Sequence, residues 1–323
     1  MSDLIEGLPD DVALRCLAYV PFVHHLKLQL VCRSWRDALR SPELLKARHE
    51  VGVAEEFLCV SAFEPENLWQ LYDPRLDIWM TLTTLPSEIK HLSNFGAVSV
   101  GGKLFVLGGN SDSVDPQTGD HDSIFPTNEV WSYNPILRQW TSCARMLVAR
   151  AMFACSVLDG RIIVAGGLTG CRKPSTSAEI YDPEKDTWDA IAELRHTCNS
   201  ACTGMVISGK FYVLHKGLSM VQVLEHRENR WLVEDEEWLQ GPSAMVGGIC
   251  TYYTSRIGFA LIGQGQSLYL IGGVDGPGQW NVPIKLLSDV NVLNVKIRGS
   301  TWRQLSPMTR CHGTVVGSTL LTI

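Results

Sequence analysis

The chain of 323 residues predicts a mostly β fold: a β-propeller of five to six four-stranded blades over residues 51–323, entered through a small α-helical module over residues 1–50. Three observations predict it. Tyrosine precedes tryptophan by seven positions at Tyr72/Trp79, Tyr133/Trp140 and Tyr181/Trp188, and Leu224 precedes Trp231 by the same interval. Apolar runs of strand length end in paired glycines at Gly108-Gly109, Gly166-Gly167 and Gly272-Gly273. The first fifty residues instead carry their apolar side chains at helical spacing.

Taking the elements in order, Ala13, Cys16, Leu17 and Val20 form one helical stripe, and Leu28, Val31, Cys32, Trp35 and Leu39 form a second. Pro9 suits a first turn, Asp10 and Asp11 suit the positive end of a helix dipole, and Pro21 and Ser41-Pro42 punctuate the helices. Leu26, Leu28 and Leu30 also alternate as a strand would, but the stripe from Leu28 to Leu39 runs for three turns and favours a helix. A unit of about forty residues buries too little surface to stand alone, so it needs the body of the chain or a partner.

Read with its side chains in order, Leu8-Pro9-Asp10-Asp11, Leu14, Leu17, Val31-Cys32-Arg33-Ser34-Trp35 and Pro42-Glu43-Leu44 closely resembles an F-box. That resemblance implies docking onto the Skp-type adaptor of cullin-RING ubiquitin ligases. It marks Leu8, Pro9, Leu14, Leu17, Val31, Cys32 and Trp35 as adaptor contacts, some of which must instead hold the helices together. A helical cap resting on the propeller is the competing reading.

From residue 57 onward a unit recurs: strand, turn, strand ending in Gly-Gly, loop, strand ending near Tyr, turn, strand bearing Trp. Gly101-Gly102 and Asp159-Gly160 are hairpin turns between the first two strands. Four antiparallel strands make one blade, and the 273 residues from 51 to 323 hold five or six units of roughly fifty residues. The pattern resembles the kelch repeat, in which glycines allow close backbone approach and Tyr and Trp fill the wedge between blades. Two units depart from it: His215-Lys216 stands where glycines are expected, and Leu293 precedes Trp302 by nine. Residues 241–256 read as the possible remnant of a further blade.

The segment opening Phe57-Leu58-Cys59-Val60 has no preceding inner strand, and the chain ends in Gly313–Val316 and Leu320–Ile323 without outer strands. Closure of one blade by pairing the two ends is therefore expected, which removes open sheet edges.

Composition bounds the function. Hydrophobic residues make up 45% and charged residues 19%, as in a globular protein. The first fifty residues hold seven acids and seven bases, so the formal charge of −6 falls on the body and disfavours nucleic acid or an anionic membrane as ligand. The ten cysteines are scattered without a Cys-x-x-Cys pair, which fits a reduced compartment, cytosol or nucleus, and no structural metal. No apolar run reaches membrane-spanning length.

Catalytic signatures are sparse. Gly-x-Ser-x-Gly, a phosphate-binding glycine loop and His-Glu-x-x-His do not occur. Nor does the Glu-x-x-x-Asp-x-x-x-His run of iron-dependent kelch specifier proteins. His24-His25 reads as a solvated helix start, and His121, with Asp112, Asp115, Asp120 and Asp122, as part of a solvated loop rather than a cation site. The expectation is a protein without cofactor and without catalysis of its own.

By resemblance, an F-box followed by kelch repeats is a characteristically plant arrangement. It implies a substrate receptor whose F-box engages the adaptor and, through it, cullin and RING subunits, while the propeller holds an unidentified target protein. Arg150, Arg256 and Arg310, which recur before inner strands, and Arg172, after a glycine pair, are the target-binding candidates; equally they suit a framework role, bonding carbonyls of the repeat. A kelch scaffold without a ligase role and a metal-dependent kelch enzyme are the alternatives.

Overall fold

The computed structural model describes residues 4–65, 68–86, 92–111, 125–197, 201–215, 220–234, 256–275, 285–294, 296 and 301–323. Four helices open the chain: α1 (Asp10–Ala18), α2 (His25–Leu28), α3 (Arg33–Leu39) and α4 (Pro42–Glu50), with a 3-10 turn at Phe22–His24 before α2. The single helix expected across Leu28–Leu39 is broken. Cys32 has extended backbone (φ −157°, ψ 172°) and caps α3, its Sγ accepting the Trp35 N–H at 3.5 Å. A polar cap in the middle of the stripe restarts the helix, and the intervening Leu30 and Val31 are left in solvent.

Among the described residues, five antiparallel sheets of four or five strands follow, each a blade, alongside two short two-stranded ribbons in their loops. Blade 2 comprises Gly96–Val100, Lys103–Leu107, Val130–Asn134 and Gln139–Ser142; blade 3 comprises Ala154–Leu158, Arg161–Ala165, Ala178–Asp182 and Thr187–Ile191. Blade 4 runs Cys202–Ile207, Lys210–His215, Val221–Glu225 and Arg230–Glu234. In blade 5 the inner position is shared by Arg256–Ile257 and Ala260–Gln264, followed by Ser267–Asp275, Lys285–Asn294 and Arg303–Leu305. Blade 1 takes its innermost strand, His312–Thr322, from the end of the chain, then Glu56–Glu64, Trp69–Asp73 and Ile78–Thr81. The two chain ends pair antiparallel, Phe57 opposite Leu321 and Val60 opposite Ser318. Of the suspected extra blade at 241–256, only Arg256 lies within the described residues.

Strand alternation distributes the core between blades. Phe57 and Cys59 face a cluster with Leu104, Val106 and Tyr133 of blade 2, whereas Leu58 and Val60 face Tyr269, Ile271 and Val290 of blade 5. Likewise Ile162 and Val164 pack toward blade 2, and Ile163 and Ala165 toward blade 4. A strand buried on both sides has no polar face, which explains the continuous apolar runs.

The Tyr/Trp spacing has a geometric basis. Each pair sits directly opposite across the outer hairpin, as Tyr72 does with Trp79 and Tyr181 with Trp188, with ring centroids 4.9 Å apart in both. Each indole N–H then crosses to the preceding blade: Trp140 donates to Thr83 O, Trp188 to Ala144 O, Trp231 to Ala192 O and Trp79 to Ser306 O, at 2.7–3.0 Å. The paired glycines let backbone meet backbone. Gly167 has φ +89°, and a Cβ there would lie 2.6 Å from Ala151 O.

Candidate functional site: two exposed surfaces and a buried junction

The helical module has its own small core of Leu17, Ala18, Leu39, Leu44 and Ala47, with Leu4, Leu14, Leu28 and Trp35 packed around it. Leu17 is only 3% exposed, so it holds the helices together and is not presented to a partner as the F-box resemblance suggested. Leu14 and Trp35 are half-buried against the same core, and the Trp35 indole donates to Leu4 O at 2.8 Å. Leu8 is partly exposed; Pro9, Val31 and Cys32 are exposed.

Three apolar residues outside the expected set join them: Val12, Tyr19 and Leu30, the last 85% exposed. Pro9, Val12, Cys16 and Tyr19 share one face of α1, next to the stripe of Ala13 and Leu17 that turns inward. Helical periodicity placed Cys16 in the inward stripe with Ala13 and Leu17, but Cys16 is exposed on the outer face instead. The Cys32 thiol has its pKa lowered by hydrogen bonds from Ser34 and the Trp35 amide.

The module is bound to the propeller through Arg48, a buried residue of α4. Its guanidinium donates to Ala18 O and Val20 O at 2.8 Å, to Val53 O at 3.2 Å, to Ile323 O at 3.3 Å and to Glu55 Oε2 at 2.6 Å. Glu55 Oε2 also accepts the Phe22 N–H at 2.7 Å, and its other oxygen pairs with Arg75, which in turn pairs with Asp73. One carboxylate therefore ties α4, the Phe22 turn and blade 1 together. Burial pulls Arg48 below its usual pKa while the charge and hydrogen bond of Glu55 push it back up.

His25 is also part of this junction and corrects the reading of His24-His25 as a solvated start. His24 is exposed, but His25 is 2% exposed, with Nε2 2.9 Å from Val20 O and 3.4 Å from Arg48. Burial, with Arg48 nearby, lowers its pKa and keeps the ring neutral.

Strand direction alternates within a blade, so turns joining first to second and third to fourth strands lie on one face. Loops joining second to third strands, and one blade to the next, lie on the other. The module rests on the first of these faces: Leu45 abuts Gly102, a first turn, and Arg75 and Arg138 belong to third-to-fourth turns. Arg150, Arg172, Arg256 and Arg310 all fall on the second face, which the module leaves open.

Arg150 is not available there. It is fully buried, donating to Gly166 O, Ser177 O, Ser177 Oγ and Glu179 Oε1 at 2.5–2.9 Å. Glu179, buried too, accepts the Leu147 and Val148 amides. The target-binding assignment of Arg150 is thereby corrected: it braces the loop between blades 2 and 3. Gln70 and Gln222 stand at the matching place in blades 1 and 4, accepting amides of Arg310 and Cys311 and of Arg195 and His196. Arg172 and Arg310 keep exposed side chains, and Arg256 is placed by its backbone pairing with Asp275.

Among the described residues no three His, Cys, Asp or Glu side chains converge as a metal site, and no helix is long and apolar enough to cross a membrane. His121 and its neighbouring aspartates lie outside the described residues.

Comparison with known proteins agrees with this architecture. Residues 5–47 match the F-box domain, and residues 91–147 and 149–195 match the Kelch motif. The chain is 51% identical to the F-box/kelch-repeat protein SKIP30 of Arabidopsis thaliana, covering 100% of this chain and 98% of that protein. It is 31% identical to F-box/kelch-repeat protein At1g16250 of the same plant, over 86% and 74% of the two chains. Among solved structures, YjhT superposes with a TM-score of 0.51 at 13% identity, covering 82% of this chain and 84% of that one, a likeness of fold alone. With its helical module, its Tyr/Trp blades and a relative aligned from end to end, the chain belongs to the F-box/kelch-repeat family.

Proposed function

We propose that this protein is the substrate-recognition subunit of an SCF-type ubiquitin ligase, with no catalytic step of its own. The observation that carries the reading is that the module, fastened to the propeller by a buried ion pair, still keeps several large apolar side chains exposed. That pair is Arg48 and Glu55, while Leu30, Val31, Tyr19 and Val12 are exposed. Exposed apolar anchors of this kind suit a partner interface, and the F-box family assigns this region to a Skp-type adaptor, through which cullin and RING subunits follow. The rigid junction would hold the open propeller face at a fixed place relative to that adaptor. A target captured there, with Arg172, Arg256 and Arg310 as candidate contacts, meets the ubiquitin-conjugating enzyme at high effective concentration.

Binding of purified Skp-type adaptor, measured by calorimetry, tests this. Wild type should bind, and Leu30→Asp/Val31→Asp should lose at least a hundredfold while keeping its melting transition, because both side chains are already solvated. A Leu8→Ala/Pro9→Ala variant should weaken binding less. Equal adaptor affinity in all three proteins would sink the assignment and favour a scaffold without a ligase role.

A further inference from the structure

Blades 3 and 4 hold their entering loops in the same way, with one chemical difference. In blade 3 the Glu179 carboxylate accepts the Leu147 and Val148 amides and is paired with Arg150, whose charge is permanent. In blade 4 the fully buried Gln222 carboxamide accepts the Arg195 and His196 amides at 2.9 and 3.1 Å. Its remaining partner is a ring that titrates, His215, which stands where blade 3 has Gly166.

The partners fix the protons. Gln222 Oε1 meets two N–H groups, which only donate, and Nε2 lies 3.0 Å from His196 O, which only accepts. The contact from Gln222 Nε2 to His215 Nε2, at 2.9 Å, is therefore donated by the amide, and the neutral ring carries its own proton on Nδ1. A proton added at His215 Nε2 would set donor against donor beside a buried side chain. Turning the carboxamide over relieves this, because Oε1 then accepts from the ring, but its NH2 group now faces the Arg195 and His196 amides and cannot bind them. Leu194 stays tied to Thr176 O and Arg195 Nε to Trp231 O, so release is confined to the loop backbone from Arg195 onward.

Around the ring stand Cys202, opposite it on the ladder with Sγ toward Met152 O and Ala165 O, and the loop cations Arg195 and His196. Burial, and after it the charge of His196, holds His215 below its usual pKa of 6.5, so the ring is neutral near pH 7.

We propose that Gln222 and His215 form a pH-sensitive latch for the loop between blades 3 and 4, which protonation of His215 opens by turning the Gln222 carboxamide over. The open arrangement binds the proton better, since the Gln222 donor no longer opposes it. This loop lies on the face assigned above to the target, so acidification should also weaken target capture; that consequence rests on the receptor reading, whereas the latch and its test do not.

The test uses the full 15N-labelled chain, with amide hydrogen exchange and nitrogen NMR of the histidine rings. At about pH 7.5 His215 should show the Nδ1–H tautomer. Between about pH 7.5 and about pH 5.5 the protection factors of the Arg195 and His196 amides, corrected for intrinsic exchange, should fall about five- to tenfold, while Leu147 and Val148 hold. His215→Gln, which cannot titrate, should make that protection independent of pH. Gln222→Glu offers the charged ring a carboxylate, so His215 should switch to Nε2–H, its pKa should rise, and the acid-induced loss should vanish. An Nε2–H tautomer in the wild type, a change under about twofold, an equal fall at Leu147 and Val148, or an acid-induced loss that survives either substitution would each overturn the proposal.

Discussion

Replacing Arg48 by methionine should loosen the helical module from the propeller without unfolding the blades. The substitution keeps the aliphatic stem but removes donors to four carbonyls and to Glu55, and it leaves that carboxylate buried. Removing one partner of a buried ion pair costs about 3–5 kcal/mol. Arg75 still reaches Glu55 and the Phe22 amide still donates to it, so the lower end, about 3 kcal/mol, is expected, a factor of roughly 150 in the docking equilibrium. Urea titration followed by helical circular dichroism and, separately, tryptophan fluorescence resolves the two parts. With a slope of about 1 kcal/mol/M for so small a unit, the helical midpoint should fall by about 3 M while the fluorescence midpoint moves little. Glu55→Gln in the Arg48→Met background should restore part of the loss, since it removes the stranded charge. A helical midpoint within 0.5 M of wild type (roughly 0.5 kcal/mol at that slope), or strictly additive single and double variants, would refute the latch.

Three further outcomes follow from the geometry. Arg150→Met strands Glu179 in the blade 3 wall and should lower the propeller melting temperature by about 10 °C; a drop under about 2 °C would return Arg150 to the partner-facing cations. His25 has a folded pKa below its ordinary 6.5, so the unfolded chain binds more protons below that value. Stability of the module should therefore be full above pH 6.5 and decline as the pH falls toward 5, and His25→Phe should flatten that slope in urea titrations across the range. Deleting residues 313–323 removes the innermost strand of blade 1 together with the Ile323 carbonyl that Arg48 holds, and should abolish cooperative melting; an undiminished thermal transition would count against closure by the chain ends.

Much of the propeller was legible because its devices are local. The Tyr-to-Trp interval is set by one hairpin, Tyr181 opposite Trp188 across a turn whose Asp186 accepts the Tyr181 hydroxyl at 2.6 Å. Gly-Gly marks a backbone approach repeated in successive blades. The helical stripe of the first fifty residues located the core correctly in Leu17 and Leu39, but it could not distinguish side chains filling that core from those offered to a partner. Val31, a member of the second stripe, is left exposed because the Cys32 cap interrupts a stripe that looks unbroken in sequence.

What the sequence determined by itself was the repeat, the residues that wedge the blades, and the presence of a helical unit too small to stand alone. Periodicity reports that a face is buried, not what it is buried against. Only the tertiary structure decided that Arg150 is framework, that His25 lies inside, and that the module sits on the turn face and leaves the loop face open. Those outcomes depend on partners far apart in the chain, such as Arg48 and Ile323, 275 positions away, and no local pattern encodes a bond that exists only once the blades have closed.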